Sequence, residues 1–487
     1  MPKELSSSPR FQYEPLTRDD LRKIHANSMQ IFSEVGFEVM EPQAFELFKN
    51  YGARTDAESH KVFLTEKQVM DIISSVPPRV TLYGRDDRHN CVLGAGNVYY
   101  ATGGTALNML DYENNKRRPA QLQDLADVVR LVDKLDNIHV LLLPTYPNEL
   151  PVDDVDINRF FTGLCYTDKH IMGGVYTAWG IEKVISMAEE IAGGQKALRE
   201  RPFISMITCG ISPLKLDSKY GAYMIQLAKH GIPTAVPVEP LCGATAPITL
   251  AGTLVIQNCD GLIHMMLTQL ANAGAPAIYG SVATSVDLHD VSYLGGPVES
   301  GMINAAAAQL ARYYSFPYYS TAGISDTKTL DTQCGYETAV NDLLVGLAGG
   351  DLIHDAAGLM EFALTVSKEK LVMDNDILGM AMRAVKGITV NDKTLAYNII
   401  KSEGPGGNFV RERHTRRYMK KEHYKPTIAD RYRRDQWEDR GHLTTAQRAH
   451  NKVNEILSAS PRCYLDSTIA RRIIKEFPEI KNNLFPV

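Results

Sequence analysis

The middle of the chain alternates between short runs of β-branched or aromatic residues and longer segments in which apolar residues recur with helical period. Several runs follow Gly-x-Pro, Gly-Ala-Pro or Phe-Pro, which signal that a helix has ended and that extended chain begins. Eight such runs cover residues 98–102, 139–146, 170–177, 203–209, 233–239, 277–281, 318–323 and 351–356. The pattern therefore predicts eight successive β–α units.

Eight β–α units within about 270 residues match the size of a closed, eight-stranded parallel barrel. The alternative is an open doubly wound sheet, but no Gly-x-Gly-x-x-Gly turn follows an early strand. We therefore predict an α/β fold, a (β/α)8 TIM barrel over residues 96–360. Residues 1–95 are expected to form an N-terminal α+β extension, and residues 361–487 a C-terminal helical region packed on the barrel.

The two flanks have patterns of their own. Residues 18–35 and 42–51 are amphipathic and predict two helices in the N-terminal extension. The C-terminal region is polar and contains a strongly basic stretch, residues 411–425. A basic run of this kind is typical of a solvated helix face, and the alternative is a docking patch for an acidic partner protein.

Composition narrows the classes of function. The 487 residues carry a net charge of -5, which argues against binding to nucleic acid or to an anionic membrane. No apolar run reaches the length of a membrane span, and residues 1–13 lack the apolar core of a secretion signal. The seven cysteines include no Cys-x-x-Cys pair, so neither a disulfide framework nor a thiolate zinc site is indicated. We expect a cytoplasmic protein with reduced thiols.

Candidate chemistry is sought where the strands end, because barrel enzymes build their active sites from the loops after the strands. No metal-ligand cluster, Gly-x-Ser-x-Gly turn or phosphate-binding loop occurs there, so no bound metal or nucleotide is expected, and no catalytic residue is assigned. The polar and aromatic residues at these positions are Tyr99, Tyr100, Thr102, Asn108, Tyr146, Tyr176, Trp179, Glu239, Tyr279, Ser281, Ser325, Asp326, His354, Asp355 and Phe362.

Aromatic residues at several strand ends have two interpretations. They either fill the barrel mouth as packing residues, or they form a cage whose ring faces attract a quaternary ammonium ion. His354 either makes a structural hydrogen bond or grips a substrate carboxylate, and Glu239 would be costly to bury without a partner. The predicted substrate-binding set is Tyr100, Tyr176, Glu239, Tyr279, His354 and Phe362.

From residue 211 onward the chain carries an ordered series of motifs. They are Ile-Ser-Pro-Leu at 211–214, Gly-Ala-Thr-Ala-Pro-Ile-Thr-Leu-Ala-Gly-Thr-Leu-Val at 243–255, Gln-Leu-Ala-Asn-Ala-Gly-Ala-Pro-Ala-Ile-Tyr-Gly-Ser at 269–281, Gln-Cys-Gly-Tyr-Glu at 333–337, and Gly-Pro-Gly-Gly-Asn-Phe at 404–409. In this series the sequence resembles the trimethylamine methyltransferase family of corrinoid-dependent enzymes. The resemblance implies the barrel fold, a corrinoid (cobalamin) carried by a partner protein, and methyl transfer to its Co(I).

One departure from the family concerns the loop after the seventh strand. Family members that use trimethylamine carry pyrrolysine there, within an Asp-x-Lys-x-x-Asp context. Here the context is Asp326-Thr-Lys328-Thr329-Leu-Asp331, with Thr329 at the pyrrolysine-equivalent position. When a quaternary ammonium donor loses a methyl group, the leaving group is a neutral amine, so no such electrophile is needed. The sequence therefore resembles the non-pyrrolysine branch, which implies glycine betaine as the first candidate donor.

Alternatives remain open within and outside this class. Proline betaine, carnitine and γ-butyrobetaine are other candidate donors, and a non-catalytic quaternary-amine binding barrel is a different class of function. A barrel lyase or aldolase is disfavoured because no strand-end lysine is available for a Schiff base. The expected partners are a corrinoid-binding protein and further copies of the chain in a homo-oligomer, with no metal held by the chain itself.

Overall fold

In the computed structural model, which describes residues 12–481 and residue 485, eight parallel strands close into a barrel in the order in which they occur along the chain. The strands are β1 Tyr99–Thr102, β2 Val140–Leu142, β3 His170–Gly174, β4 Ile204–Ile207, β5 Thr234–Val238, β6 Ala277–Ser281, β7 Tyr318–Thr321 and β8 Leu352–Ala357. Seven of the eight predicted runs contain their strand and the eighth, 351–356, overlaps all of β8 but its last residue, so the barrel prediction is confirmed.

Eighteen α-helices and one 3-10 helix, Asp87–His89, lie among the described residues. The N-terminal ones are α1 Arg18–Glu34, α2 Pro42–Tyr51 and α3 Glu66–Ile73. The helices that surround the barrel are α4 Leu122–Asp133, α5 Val152–Tyr166, α6 Ala178–Ala192, α7 Gln195–Glu200, α8 Ser218–His230, α9 Leu250–Ala271, α10 Val298–Tyr313, α11 Thr332–Ala348 and α12 Lys368–Val385. The C-terminal ones are α13 Asp392–Leu395, α14 Tyr397–Glu403, α15 Arg413–Glu422, α16 Arg434–Asp439, α17 Thr445–Ser458 and α18 Ser467–Glu476.

Shorter strands outside the barrel tie the flanks to it. Phe37–Val39 pairs antiparallel with Lys61–Phe63, which in turn pairs with Arg54–Asp56. The first of these strands also pairs with Lys215–Leu216, which lies in the loop after β4. The remaining short strands are Val80–Leu82, Cys91–Leu93, Asn108–Asp111, Lys116–Pro119, Leu241–Cys242, Thr284–Val286, Tyr293–Leu294, Leu359–Met360 and Thr365–Val366.

The core has an inner and an outer part because each barrel strand has two covered faces. Ala101, Leu142, Met172 and Tyr319 belong to one buried cluster that also includes the hairpin formed by Val80–Leu82 and Cys91–Leu93. On the outer side, Tyr100 and the apolar faces of the surrounding helices form a second, larger cluster. The interior of the barrel is therefore filled by side chains along its axis. No helix among the described residues is long and apolar enough to cross a membrane.

Candidate active site

A cavity of about 350 Å³ lies at the carboxyl ends of the barrel strands. Its walls are residues from the ends of β2 to β8 and from the loops that follow them, which is where barrel proteins carry their chemistry. Leu142 and Ile207, at the ends of their strands, lie at its base, and Glu239 directly follows β5. The volume suits a small organic molecule.

Five aromatic rings line the cavity. They are Tyr176, Tyr220, Tyr293, Tyr319 and Phe362. The Tyr176 ring packs edge-to-face against the ring of Tyr146, and the two ring centroids are 5.1 Å apart. Rings held in this way present π faces and hydroxyl groups to whatever enters the cavity, and a quaternary ammonium ion is attracted to such faces.

Phe362 reaches the cavity through an unusual turn. Glu361, Phe362 and Ala363 have φ values of 49°, 60° and 65°, so three successive residues that are not glycine adopt the left-handed conformation. This conformation is costly for residues with a side chain, and it persists where the surrounding structure holds it. Glu361 accepts hydrogen bonds from Arg117 and Thr365, which fix the turn. Strain at a ring that faces the cavity is consistent with a functional position.

His354 and Asp355, in the middle of β8, form a hydrogen-bonded pair that lines the cavity. The Nε2 atom of His354 lies 2.7 Å from Oδ2 of Asp355, and its Nδ1–H donates to the carbonyl of Ser320 at 2.6 Å. Both ring nitrogens of His354 therefore have a hydrogen-bond partner within the protein. The Asp355 carboxylate also accepts from the N–H of Gly104 and the hydroxyl of Thr321. Asp355 itself is left-handed, with φ of 59°.

Glu239 is the second acidic group of the cavity. Its side chain is open to the cavity but surrounded by protein on its other sides. The pKa of Glu239 is raised to about 7, chiefly by burial and also by the negative charge of Asp355, while His354 opposes the shift. Among the described lining residues there is no lysine or arginine. The cavity is therefore negative whenever Glu239 is ionised, and it favours a cation.

The structure brings together four of the six predicted binding residues: Tyr176, Glu239, His354 and Phe362. The prediction is wrong for the other two. Tyr100 and Tyr279 are fully buried on the outer side of the barrel, where their hydroxyls donate to the Asp342 carbonyl on α11 and to the Asn258 side chain on α9. Successive residues of a strand point to opposite faces, so a strand-end position does not by itself place a side chain in the cavity.

Thr329 does not line the cavity. Its hydroxyl donates to Asp331, and its carbonyl accepts from the hydroxyl of Thr327. In the same loop, Lys328 lies over the Phe362 ring, with Nζ 4.2 Å from the ring centroid. Asp326 accepts from the N–H groups of Gly295 and Gly296, while Asp331 caps α11. The loop is thus closed on itself by local hydrogen bonds and places a lysine beside the mouth of the cavity.

Three aromatic residues of the cavity were missed by the sequence reasoning. Tyr319 lies within β7 and points inward, Tyr220 is the third residue of α8, and Tyr293 belongs to a short strand inside the loop after β6. Inward-facing alternation along β7 was a signal that could have found Tyr319. For Tyr220 and Tyr293 no local signal existed, because only the folding of long loops brings them to the barrel axis.

No group of three or more His, Cys, Asp or Glu side chains among residues 12–481 and 485 is arranged to hold a metal ion. The expected absence of a resident metal stays a prediction. Cys209 also faces the cavity, and burial raises the pKa of its thiol to about 12, so it is a neutral wall residue.

The fold and the cavity define a parallel-barrel protein with a preformed cavity for a small organic molecule at the carboxyl ends of its strands. A family model described as trimethylamine methyltransferase (MTTB) matches residues 4–483. The chain therefore belongs to this methyltransferase family.

Two individual relatives are also named as methyltransferases. The chain is 34% identical over 439 residues to a trimethylamine methyltransferase of Desulfitobacterium hafniense strain DSM 10664 / DCB-2, covering 90% of this chain and 88% of the relative. It is 32% identical over 448 residues to a glycine betaine methyltransferase of Desulfitobacterium hafniense strain Y51, covering 92% and 93%.

Solved structures support the fold. The monomethylamine methyltransferase of Methanosarcina barkeri superposes with a TM-score of 0.50 at 14% sequence identity, covering 92% of this chain and 96% of that chain. A hydroxylamine complex of MtmB gives a TM-score of 0.51 with the same coverage and identity. At this identity the likeness shows the barrel architecture and leaves the substrate open.

Proposed function

We propose that this methyltransferase removes a methyl group from a quaternary amine and transfers it to the Co(I) of a corrinoid carried by a partner protein. The observation that supports the proposal most directly is the composition of the cavity, in which aromatic rings and the Glu239 carboxylate occur without a lysine or arginine among the described lining residues. A permanent cation gains from ring faces and from a carboxylate, and it cannot lose its charge to a base.

Glycine betaine is the first donor to test, because one relative is named for it. Its carboxylate needs hydrogen-bond donors. The hydroxyl of Tyr319 is buried at the cavity wall without a hydrogen-bond partner among the described residues, and the Nζ of Lys328 lies beside Phe362 at the mouth. His354 is a weaker candidate for this role than the sequence suggested, since both of its ring nitrogens already have partners.

The dimensions of the cavity fit a donor of this size and are too small for a corrinoid ring. The corrinoid would therefore meet the donor from outside, at the open end of the barrel. When docked there it would supply a strong nucleophile for the methyl carbon.

The chain's own contribution is to position and desolvate the donor. The aromatic rings hold the ammonium head so that one N–CH3 bond faces the mouth, and closing the cavity with the partner excludes water. The N–CH3 bond breaks with its electron pair remaining on nitrogen, so a neutral tertiary amine leaves without needing a proton. A tertiary amine as donor would depart as an amide anion unless an acid or electrophile assisted it, and Thr329 supplies neither.

The proposal is tested with purified protein, cob(I)alamin and a panel of donors, reading methylcobalamin formation by absorbance. We expect turnover with glycine betaine or a related quaternary amine and none with trimethylamine, dimethylamine or methylamine. The same reaction without protein, and with the Asp355→Asn variant, serves as control. Binding of a quaternary amine with no methyl transfer would identify a binding barrel instead, and turnover of trimethylamine would overturn the proposal.

A further inference from the structure

The C-terminal region contains a segment that has no core of its own. We define the arm as residues 386–425, which follow α12 and include α13, α14 and α15. Every residue from 382 to 427 is described, and none of them is buried. Soluble proteins seldom leave so long an ordered stretch without any covered side chain.

Large apolar side chains are exposed along the arm. Ile388 is 85% exposed, Val410 74% and Val390 71%. Five more are exposed, namely Leu395, Tyr397, Ile400, Phe409 and Met419. Helices α13, α14 and α15 also enclose a groove, lined by Tyr397 and Tyr418 among others. Exposed apolar side chains in this number, beside a groove, are characteristic of a surface that another protein covers.

The arm is fixed at its base, so it is a built feature of the chain. The Arg383 guanidinium donates to the carbonyl of Glu422, which joins the two ends of the arm. Tyr424 contacts Asp376 of α12, and its hydroxyl accepts from Asn137, which precedes β2. Beyond the arm, the N–H groups of Thr427 and Ile428 donate to Asp376.

The arm leaves the barrel at the end opposite to the cavity. Helix α12 follows β8 and runs back toward the amino ends of the strands, as barrel helices do. Just past its end, a Cβ on Gly387 would lie 3.3 Å from the side chain of Gln12, whose backbone N–H donates to Leu347 near the end of α11. A corrinoid partner must reach the carboxyl end, so the arm is placed badly to receive it.

Charge indicates what covers the arm. Residues 386–425 contain ten lysines and arginines against four aspartates and glutamates, a net charge of +6, and the other 447 residues carry -11. Two arms packed face to face would bring like charges together, whereas an arm packed on the body of another copy would join opposite charges. Forty residues are also enough for one side of a stable interface, which takes about 20–30 residues.

We infer that the arm docks on the body of a second copy of this chain, at the amino end of the barrel, so that two copies exchange arms reciprocally. Reciprocal exchange is a closed arrangement in which every arm is covered and no arm is left over. The exclusion of the corrinoid partner rests on the proposed function, whereas the choice of a second copy rests on the exposure, position and charge of the arm.

The first test is the mass of the purified full-length chain by light scattering and sedimentation. We expect a dimer or a multiple of it at micromolar concentration. Ile388→Glu/Val410→Glu should shift it to monomer while the far-UV circular dichroism stays that of the wild type, because both side chains are exposed in the single chain. The matched control is Val152→Glu, which changes an exposed valine on α5. A monomeric wild type, or an unchanged mass for the double variant, would overturn the inference.

The second test locates the contact. Unlabelled and 15N-labelled chains are mixed and treated with a carbodiimide, which joins lysines to carboxylates in contact. We expect links between Lys420 or Lys421 of one copy and an Asp or Glu outside residues 386–425 of another, and Lys420→Glu/Lys421→Glu should weaken association about tenfold. The arrangement would be contradicted if all links ran from arm to arm. It would also be contradicted if arm variants kept the wild-type mass but impaired methyl transfer to a corrinoid protein.

Discussion

The two ends of the barrel differ in how they are completed. At the carboxyl end, residues from many loops converge on a concave cavity whose groups are held by internal contacts, such as the Asp355 carboxylate with its three donors. Near the amino end, the arm presents apolar and basic side chains outward and buries none of them. The cavity is preorganised within one chain, whereas the arm has no buried side chain until something packs on it.

This difference teaches where each kind of interaction is strong. In the cavity, charges are partly removed from water, so a single carboxylate or ring changes binding measurably. On the arm, single charges are solvated and act weakly, so it can bind tightly only by burying many side chains at once. Changes in the cavity should therefore act on the reaction, and changes in the arm on association.

The largest effect is expected for Asp355→Asn. The change removes the negative charge beside His354 and one of the two carboxylate oxygens that accept from Gly104 and Thr321. Asparagine still tolerates the left-handed backbone of this position. Loss of a charged hydrogen-bond network costs about 2–3 kcal/mol, a fall of roughly 30- to 150-fold in kcat/KM. Steady-state methyl transfer measures it, with the exposed Asp153→Asn as control. A wild-type rate in a folded Asp355→Asn protein would reduce this pair to a structural role.

The next effect is the pH dependence of donor binding. Because the pKa of Glu239 is raised to about 7, about a tenth of it is ionised at pH 6 and about nine-tenths at pH 8. Affinity for a quaternary amine should therefore rise with pH across this interval, measured by calorimetry. Glu239→Gln should flatten the profile and weaken binding at pH 8 by about 1–2 kcal/mol. The exposed Glu182→Gln should keep the wild-type profile. A profile that falls with pH would show that the neutral acid binds the donor.

A smaller effect is expected for the cage. Phe362→Ala removes one ring face and should raise the KM of a quaternary amine roughly fivefold. This corresponds to a loss of about 1 kcal/mol of binding free energy. Tyr100→Phe is the matched control, because its ring lies outside the cavity and its hydroxyl bonds only to the Asp342 carbonyl. It should lower stability by about 1 kcal/mol and leave KM unchanged. Equal KM changes in both variants would mean that they act through packing.

The smallest effect is expected for Thr329→Ala. The Thr329 side chain bonds to Asp331 within its own loop and does not reach the cavity. Betaine turnover should stay within about threefold of wild type, since a solvated local hydrogen bond contributes little. Complete loss of turnover in a folded Thr329→Ala protein would show that this loop takes part in the reaction.

Much of the fold could be predicted from the sequence for a local reason. Each barrel strand is a short apolar run followed by a helix with its own period and stop signal, so all eight strands appear as patterns within a few residues. Glu239 and Phe362 could be predicted in the same way, because Glu239 directly follows β5 and Phe362 lies in the loop after β8, and such loops lie at the carboxyl end of the barrel. His354 lies within β8, inside the predicted run 351–356. Tyr100 and Tyr279 could not be excluded, because the direction of a side chain depends on strand tilt and closure.

The sequence by itself determined the repeating units, the family and the chemical character of the residues near the strand ends. Only the tertiary structure decided which of those residues share a cavity. Tyr220 and Tyr293 reach it through the folding of long loops, and the pKa of Glu239 depends on burial that no local pattern encodes. The arm shows the same division between sequence and tertiary structure. Its basic run is visible in the sequence. That it lacks a core and leaves the barrel away from the cavity is a property of packing, which couples residues far apart in the chain.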